Sequence, residues 1–508
     1  MRRTVLPALL LPGLAALALA AGAAHAQSTL RIGLAEDPDI LDPTMARTFV
    51  GRIVFAGLCD KLFDLDEKLN VVPQLATSYE WSADNKSLTI KLRNGVTFHD
   101  GEKMDAQAVK FNLERHKNTP GSTRRGELAP VERVDVVDPL TVRLSLSAPF
   151  APLLTVLTDR AGMMVSPKAA QAAGEKFGAR PVCSGPFRFV ERVAQDRIVL
   201  ERFPAYWNKG EIHFDRVVYQ PIADSTVRLA NLRSGQLDFI ERLAGSDVAG
   251  LKSDSRFKID RIVEIGYQGI YFNLGKGEPG QKSPVGRDAR VREAFELSLD
   301  RAALVKVAMD GEAQPGNQWV SPSNRYYAKN VPIPKRDVAK AKALLAAAGV
   351  PNPAVTLMAP TESAAQRIAQ VVQSMAKEAG FDIKIQSTEF ASSLALADKG
   401  QFEAYVLAWS GRADPDGNLQ IHLACKAALN YSGYCNAQVD ELINQARSTL
   451  DPAQRVKLYE QIAEQVNRDR PIVYIFHRHW LWGHSAKLTG LRTVPDGMVR
   501  LQGLRMAK

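Results

Sequence analysis

The sequence predicts an α/β protein built as two lobes with no flexible linker between them. Three observations carry this. The second half alternates short apolar strands with amphipathic helices, the pattern of a parallel sheet covered by helices. The stretch from about 60 to 220 is dominated instead by strands and turns. No internal repeat or low-complexity segment divides a chain of 508 residues, which is too long for one compact core. Apolar residues make up 45% and charged residues 24%, a composition ordinary enough to exclude a fibrous, disordered or membrane-embedded class.

Arg2 and Arg3 form a charged start. The run 5–21 is apolar but broken by Pro7, Pro12 and Gly13, and Ala24-His25-Ala26 supplies small residues at the −3 and −1 positions of a cleavage site. This is the pattern of an export signal over 1–26, with Gln27 as the first mature residue. A membrane span needs about 20 unbroken apolar residues, and no later segment supplies them. No cysteine follows the apolar run, so no lipid anchor is expected. The expectation is a soluble periplasmic protein.

The elements then follow in order. A strand over 30–35 opens into Glu36-Asp37-Pro38-Asp39. Strands are predicted over 88–92, 141–146, 197–203 and 216–222, then a helix over 225–233 ended by Gly235, and a strand over 237–240. A helix is placed around 288–301. Asp337 caps another over 338–348, stopped by Gly349 and Pro351. A strand over 355–359 leads to a helix over 361–379, with Ile368, Val371, Val372 and Met375 on one face and Gly380 at its end. Phe381, Ile383 and Ile385 alternate in the next strand. After a short helical piece over 394–397, the nearly continuous apolar run 402–409 reads as a strand covered on both faces. A helix over 451–468 and a strand over 471–476 close the pattern.

The formal net charge is +10, two units of it from Arg2 and Arg3. The basic residues are spread along the chain, so they read as a solvated surface, with no nucleic-acid partner. Four cysteines, Cys59, Cys183, Cys425 and Cys435, allow three pairings in an oxidising compartment. Cys425 and Cys435 close a short loop easily, which leaves Cys59 with Cys183. None has zinc-site spacing. Gly275 to Gly280 matches GxGxxG, but Pro279 and Pro284 follow where a helix would have to start, so the stretch reads as a loop without a nucleotide. His477, His479 and His484 read as part of a strand returning to the first lobe, not as a metal site. No hydrolase, metalloprotease or phosphate-loop motif is present, so no enzyme activity and no cofactor are expected.

In open α/β sheets, ligands sit beyond the carboxyl ends of strands. After the strand over 30–35 this points to Asp37, Pro38 and Asp39. After the strand over 402–409 it points to Trp409, Arg412 and Asp414. Trp409 offers a flat apolar face and Arg412 a five-donor fork suited to carboxylates. On a lobe-crossing segment over 266–273, Tyr267, Gln268 and Tyr271 are further candidates to line a cleft.

The stretch from Pro73 to Gly101, PQLATSYEWSADNKSLTIKLRNGVTFHDG, resembles the signature of the family 5 extracellular solute-binding proteins of ABC importers, the dipeptide-, oligopeptide- and nickel-binding group. Physically it is a surface meander, with Leu88, Ile90 and Leu92 alternating between turns at Asp84-Asn85 and Asn94-Gly95. The resemblance implies a periplasmic-binding-protein clamshell of class II, similar to cluster C, with a β-rich domain inserted in the first lobe. The boundaries expected are 27–60, 185–265 and 484–508 for lobe I, 61–184 for the insert and 266–483 for lobe II. It implies a monomer that closes over a small solute and delivers it to a permease driven by ATPase subunits.

In the peptide binders the loop after the apolar strand resembles W-x-x-D, and that Asp pairs with the peptide ammonium. Counting from Trp409, the fourth position here is Arg412. At ~4 Å and an effective dielectric near 20, an Arg repels an ammonium by about 4 kcal/mol, against about 8 kcal/mol for a whole micromolar affinity. The expected ligand is therefore a carboxylate-bearing, non-peptide solute held by Arg412. A peptide or glutathione ligand is the alternative, as is a sensory or enzymatic module on the same fold.

Overall fold

The structure, a computed structural model, describes residues 28–507. The export signal over 1–26 and the mature start at Gln27 lie outside the described residues.

A sheet of 12 strands runs through both lobes. Its central member is the long strand Ile472–Ser485. Up to Arg478 this strand pairs antiparallel with Tyr267–Phe272 and Ala313–Pro315. From His479 onward it pairs with Phe257–Val263, and at Gly483 and His484 with Phe239–Ile240. The lobes are thus joined at two places, 264–266 and 478–479. Trp480 and Trp482 pack in the core of the first lobe beside Phe49, Val50 and Phe239. The second crossing therefore comes earlier than the expected 483–484 boundary, because the strand exchanges partners as soon as it leaves Ala313.

In the first lobe, Thr29–Leu34 lies parallel to Arg216–Pro221 and to Phe239–Ile240. In the second, Ala354–Pro360 lies parallel to Asp382–Thr388 and Ala404–Trp409. That lobe is mixed and not wholly parallel, since Tyr267–Phe272 runs antiparallel to both Ala404–Trp409 and the long strand. The helix Ser363–Glu378 buries Ile368, Ala369 and Val372 against this sheet, as its 3.6-residue spacing requires.

A separate four-stranded antiparallel sheet, in the order Ala76–Trp81, Ser87–Leu92, Thr141–Leu146, Val131–Asp138, has a core of its own around Leu88, Ile90, Val109, Leu113 and Leu144. The helix Ala106–Asn118 packs on it. Its amphipathic period is hidden in the sequence because the buried face carries Asn112 and His116, both fully buried. Asn112 is satisfied there by donating to Val165 O and accepting from Val165 N. The GxGxxG stretch is a correction of another kind. It holds two short helices, Gly277–Lys282 and Pro284–Arg287, where a loop was expected. Pro279 falls in the first turn of one and Pro284 opens the other, positions where a missing N–H costs nothing.

Two disulfides form, Cys59–Cys183 and Cys425–Cys435. They close loops spanning 124 and 10 positions, respectively. Loop entropy alone makes the longer one worth about 2 kcal/mol more. Denaturant titrations of the Cys59→Ala/Cys183→Ala and Cys425→Ala/Cys435→Ala proteins should rank in that order, with the first pair the more destabilised.

Candidate functional site

Beside the two crossings, the gap between the lobes widens into a partly open cavity of about 90 Å³. Its walls come from strand ends. Glu36 follows Thr29–Leu34, Arg242 follows Phe239–Ile240, Glu362 follows Ala354–Pro360, and Trp409 and Ser410 end Ala404–Trp409. Glu264, Gln268, Arg478 and Trp480 are supplied by the crossings. The location is the one expected of an open α/β sheet, and Glu36, Arg242, Glu362 and Ser410 each sit one or two residues beyond a strand end.

Glycine is required where a crossing meets the floor. A Cβ on Gly266 would lie 1.8 Å from the carbonyl oxygen of Trp409, and one on Gly411 would lie 2.4 Å from the backbone of Ile265. Gly411 also has φ +81°, a backbone that side chains disfavour. The first crossing therefore rests directly on the loop that follows Trp409. His477 ties the second crossing to it, its Nδ1 lying 2.6 Å from Gly266 O.

Four aromatic rings line the cavity, those of Phe49, Phe390, Trp409 and Trp480. Phe49 and Trp480 stack at 4.5 Å between centroids with planes 10° apart. Trp409 is held from below, its Nε1 donating to Asn418 Oδ1 at 3.1 Å, with His422 edge-on at 4.6 Å. Three guanidiniums and three carboxylates face each other around them. Arg242 lies between Glu36 at 3.3 Å and Glu241 at 3.2 Å. Arg478 donates to Gln268 Oε1 at 3.0 Å and sits 3.6 Å from Glu264. Arg47 reaches across to Asp398 of the second lobe at 2.5 Å.

Burial pushes Glu264 up to about 7 despite Arg478. Glu36 is raised by burial too, against Arg242. Glu362 is equally buried, but Arg242 and Arg478 together overcome that and hold it below the usual range. Arg242 has φ +50°, a left-handed conformation glycine would adopt more cheaply.

The nine residues expected to contact ligand divide into three groups. Trp409 and Gln268 line the cavity. Tyr267 and Tyr271 are in the second-lobe core, fully buried and hydrogen-bonded to each other at 2.8 Å. The other five are engaged in holding the protein itself. Asp37 pairs with Arg192 at 3.0 Å, and the carbonyl of Pro38 accepts from the same guanidinium. Asp39 accepts from Arg47 N at 2.8 Å and Thr48 Oγ1 at 2.9 Å. Asp414 is gripped by both ends of the Arg455 fork at 2.7 and 2.8 Å.

Arg412 is the main correction. Its guanidinium stacks 4.7 Å above Trp409 and pairs at 2.6 Å with Asp159, on the opposite side of the gap, outside the cavity wall. Asp159 is also held by Arg52, which in turn reaches Ser410 at 3.2 Å. Burial works against this carboxylate, yet Arg412 and Arg52 keep it well below the usual range. A buried acid beyond the loop thus claims the positive charge that the sequence offers to a ligand. The histidines likewise face separate partners: His479 lies 3.0 Å from Glu312 and His484 2.7 Å from Asp260.

The cavity groups missed by sequence reasoning share one trait. Glu36 immediately precedes the trio singled out, Arg478 stands between two histidines that drew attention to themselves, and Phe49 opens a helix, Phe49–Leu58, whose hydrophobic residues run nearly all round it. The usable signal was the strand-end rule, applied one residue earlier at 36 and also to the ends at 240 and 360.

Because Glu264 rises from an ordinary 4.5 to about 7 on folding, its contribution is fully present below about 4.5 and is lost as pH climbs through 7. The shift corresponds to about 3 kcal/mol. Glu264→Gln should therefore gain stability relative to the parent by about that amount across this window, read by chemical denaturation at a series of pH values.

Comparison with known proteins bears on the family and the fold. The family model for bacterial extracellular solute-binding proteins, family 5 Middle, matches residues 70–430. The chain is 30% identical over 494 residues to the glutathione-binding protein GsiB of Escherichia coli O1:K1 / APEC, covering 95% of each. It superposes with TM-score 0.84 and 27% identity on AgaA of A. tumefaciens R10, solved with agropinic acid, covering 94% of this chain and 99% of that one. It also superposes with TM-score 0.87 and 24% identity on the periplasmic binding protein DppA of Helicobacter pylori, solved with the peptide STSA, covering 95% and 99%.

Proposed function

The chain belongs to the bacterial extracellular solute-binding proteins of family 5, and on that premise we propose that its cleft takes a small solute carrying both carboxylate and ammonium groups. Members of this family are the solute-binding components of ABC importers, and this chain is one of them. The observation that carries the ligand reading is the balance of charge in the cavity. Arg47, Arg242 and Arg478 face Glu36, Glu264 and Glu362, so the site suits a zwitterion better than a bare anion or cation.

The carboxylate goes to Arg242 and Arg478, the ammonium to Glu36 and Glu362, and the apolar body lies against Trp409 and the Phe49–Trp480 stack. Arg412 acts without touching the solute: its pair with Asp159 fastens the lobes once they have closed. One relative supports this class: it is named for glutathione, which carries one ammonium and two carboxylates. The peptide reading is thereby included, with the amino end received by Glu36 and Glu362 in place of the family's loop aspartate.

The protein is exported by the signal over 1–26, works in the periplasm as a monomer and presents its closed form to the permease, whose ATPase subunits supply the energy. Among the described residues no helix is long and apolar enough to cross a membrane.

Native mass spectrometry of protein purified without refolding should show one small solute bound per chain. A thermal-shift series with glutathione, dipeptides and amino-acid-derived acids should then raise the melting temperature in a concentration-dependent way. Arg242→Gln and Trp409→Ala should each weaken that solute by at least about tenfold, or about 1.4 kcal/mol. Arg412→Ala should weaken all bound solutes by one common factor, since it acts on closure alone. Selective loss of one solute in Arg412→Ala would return Arg412 to the ligand site.

A further inference from the structure

A second cavity lies on the hinge side of the cleft, sharing Arg242, Glu362 and Arg478 with it as a common wall. Beyond that wall it is lined from the first lobe by Arg228 and from the second by Arg367. Neither of these two makes an ion pair among the described residues. Arg228 is only 1% exposed and is held by three backbone carbonyls, those of Ile222 (2.5 Å), Ala223 (3.0 Å) and Arg242 (3.1 Å). Its Nε is buried with no partner. Arg367 donates Nε to Ala308 O at 3.1 Å.

The acids in this cavity are already committed. Glu312 is shared by His479 at 3.0 Å and Arg261 at 3.3 Å. Glu362 caps the helix Ser363–Glu378 by accepting from Ala365 N at 3.0 Å and lies in the shared wall. Two guanidiniums from opposite lobes are therefore brought into one enclosed space with no carboxylate in contact with either. Carbonyl oxygens meet their N–H groups only in part, Arg228 Nε being left over, and Glu241 and Glu362 act on Arg228 without contact. Like charges drawn together by lobe closure repel. An anion placed between them reverses the sign of that interaction.

We propose that this hinge-side cavity is a second anion site, taking a carboxylate or phosphate group between Arg228 and Arg367 and thereby favouring the closed form. Two sources have the right chemistry: a free anion, or the distal acid arm of a solute reaching past Arg242 and Arg478. The second source rests on the zwitterion reading of the cleft; the first does not.

The test titrates full-length mature protein with inorganic phosphate at constant ionic strength in chloride, reading binding by calorimetry and closure by small-angle scattering. It then titrates glutathione and its glycine-carboxyl monoamide. Each is repeated in Arg367→Gln, a half-exposed position where folding should survive, and in Trp409→Ala, a change in the cleft wall at a residue that does not line the second cavity. Phosphate binding that falls at least tenfold in Arg367→Gln and persists in Trp409→Ala establishes a free-anion site. A tenfold loss for glutathione in Arg367→Gln, with none for the monoamide, establishes the distal arm. If Arg367→Gln binds phosphate, glutathione and the monoamide as the parent does, the second site is overturned. If only Trp409→Ala fails to matter for glutathione, the cleft reading falls and the phosphate result still stands on its own.

Discussion

The structure depends on one strand that carries a single sheet through both lobes. Ile472–Ser485 supplies backbone partners to the second lobe with its first half and to the first lobe with its second half. A one-residue slip would turn Arg478 and Trp480 away from the cleft and bring His479 and Leu481 into it. Register is therefore fixed by burial on both sides, and relative motion of the lobes is left to bending at 264–266 and 478–479. Gly266 lies in the first of these and is pressed onto the carbonyl of Trp409. Any rotation at that crossing moves the floor of the cleft as well. Hinge and cleft floor are one mechanical unit.

Placing charges at such a hinge has a cost that the arrangement offsets locally. Glu36, Glu264 and Glu362 are all buried, and desolvation works against each. What separates them is the number of guanidiniums in reach. Glu362 has two and stays ionised; Glu264 has Arg478 at 3.6 Å, too long to compensate fully. Arg242 accepts an unfavourable backbone to stand between Glu36 and Glu241. The charge pairs of this cavity are therefore only partly made within the protein itself.

How much of this was legible in the sequence follows from where the information lay. The alternation at Leu88, Ile90 and Leu92, and the spacing of Ile368 and Val372, are local patterns that report directly which face is buried. They placed the elements well. The helix Ala106–Asn118 escaped because its buried face includes Asn112, whose hydrogen bonds go to a residue 53 positions away. The site was less legible for the same reason. Arg412 is two residues past a cavity-lining serine and chemically suited to a carboxylate; nothing in its neighbourhood announces that Asp159, from the far side of the gap, claims it. Gln268 and Trp409 reach the cavity because strand position alone sets them there. Arg242 and Arg478 were not singled out, because their role comes from three segments meeting.

The charge inversion at Arg412 then has a consistent physical meaning. A receptor for import must close over its solute and still open for the permease, so contacts made only in the closed form must not be strong enough to hold it shut alone. The Arg47–Asp398 pair is about a third exposed on both sides, and such pairs are worth at most about 1 kcal/mol. Arg412–Asp159 is buried, but Arg52 already pairs with Asp159 within the first lobe. When the lobes part, the carboxylate therefore keeps one partner and the loss is partial. A loop aspartate in place of Arg412 would face Asp159 across the gap and repel it. With an arginine there, the same loop is attracted to the opposite lobe.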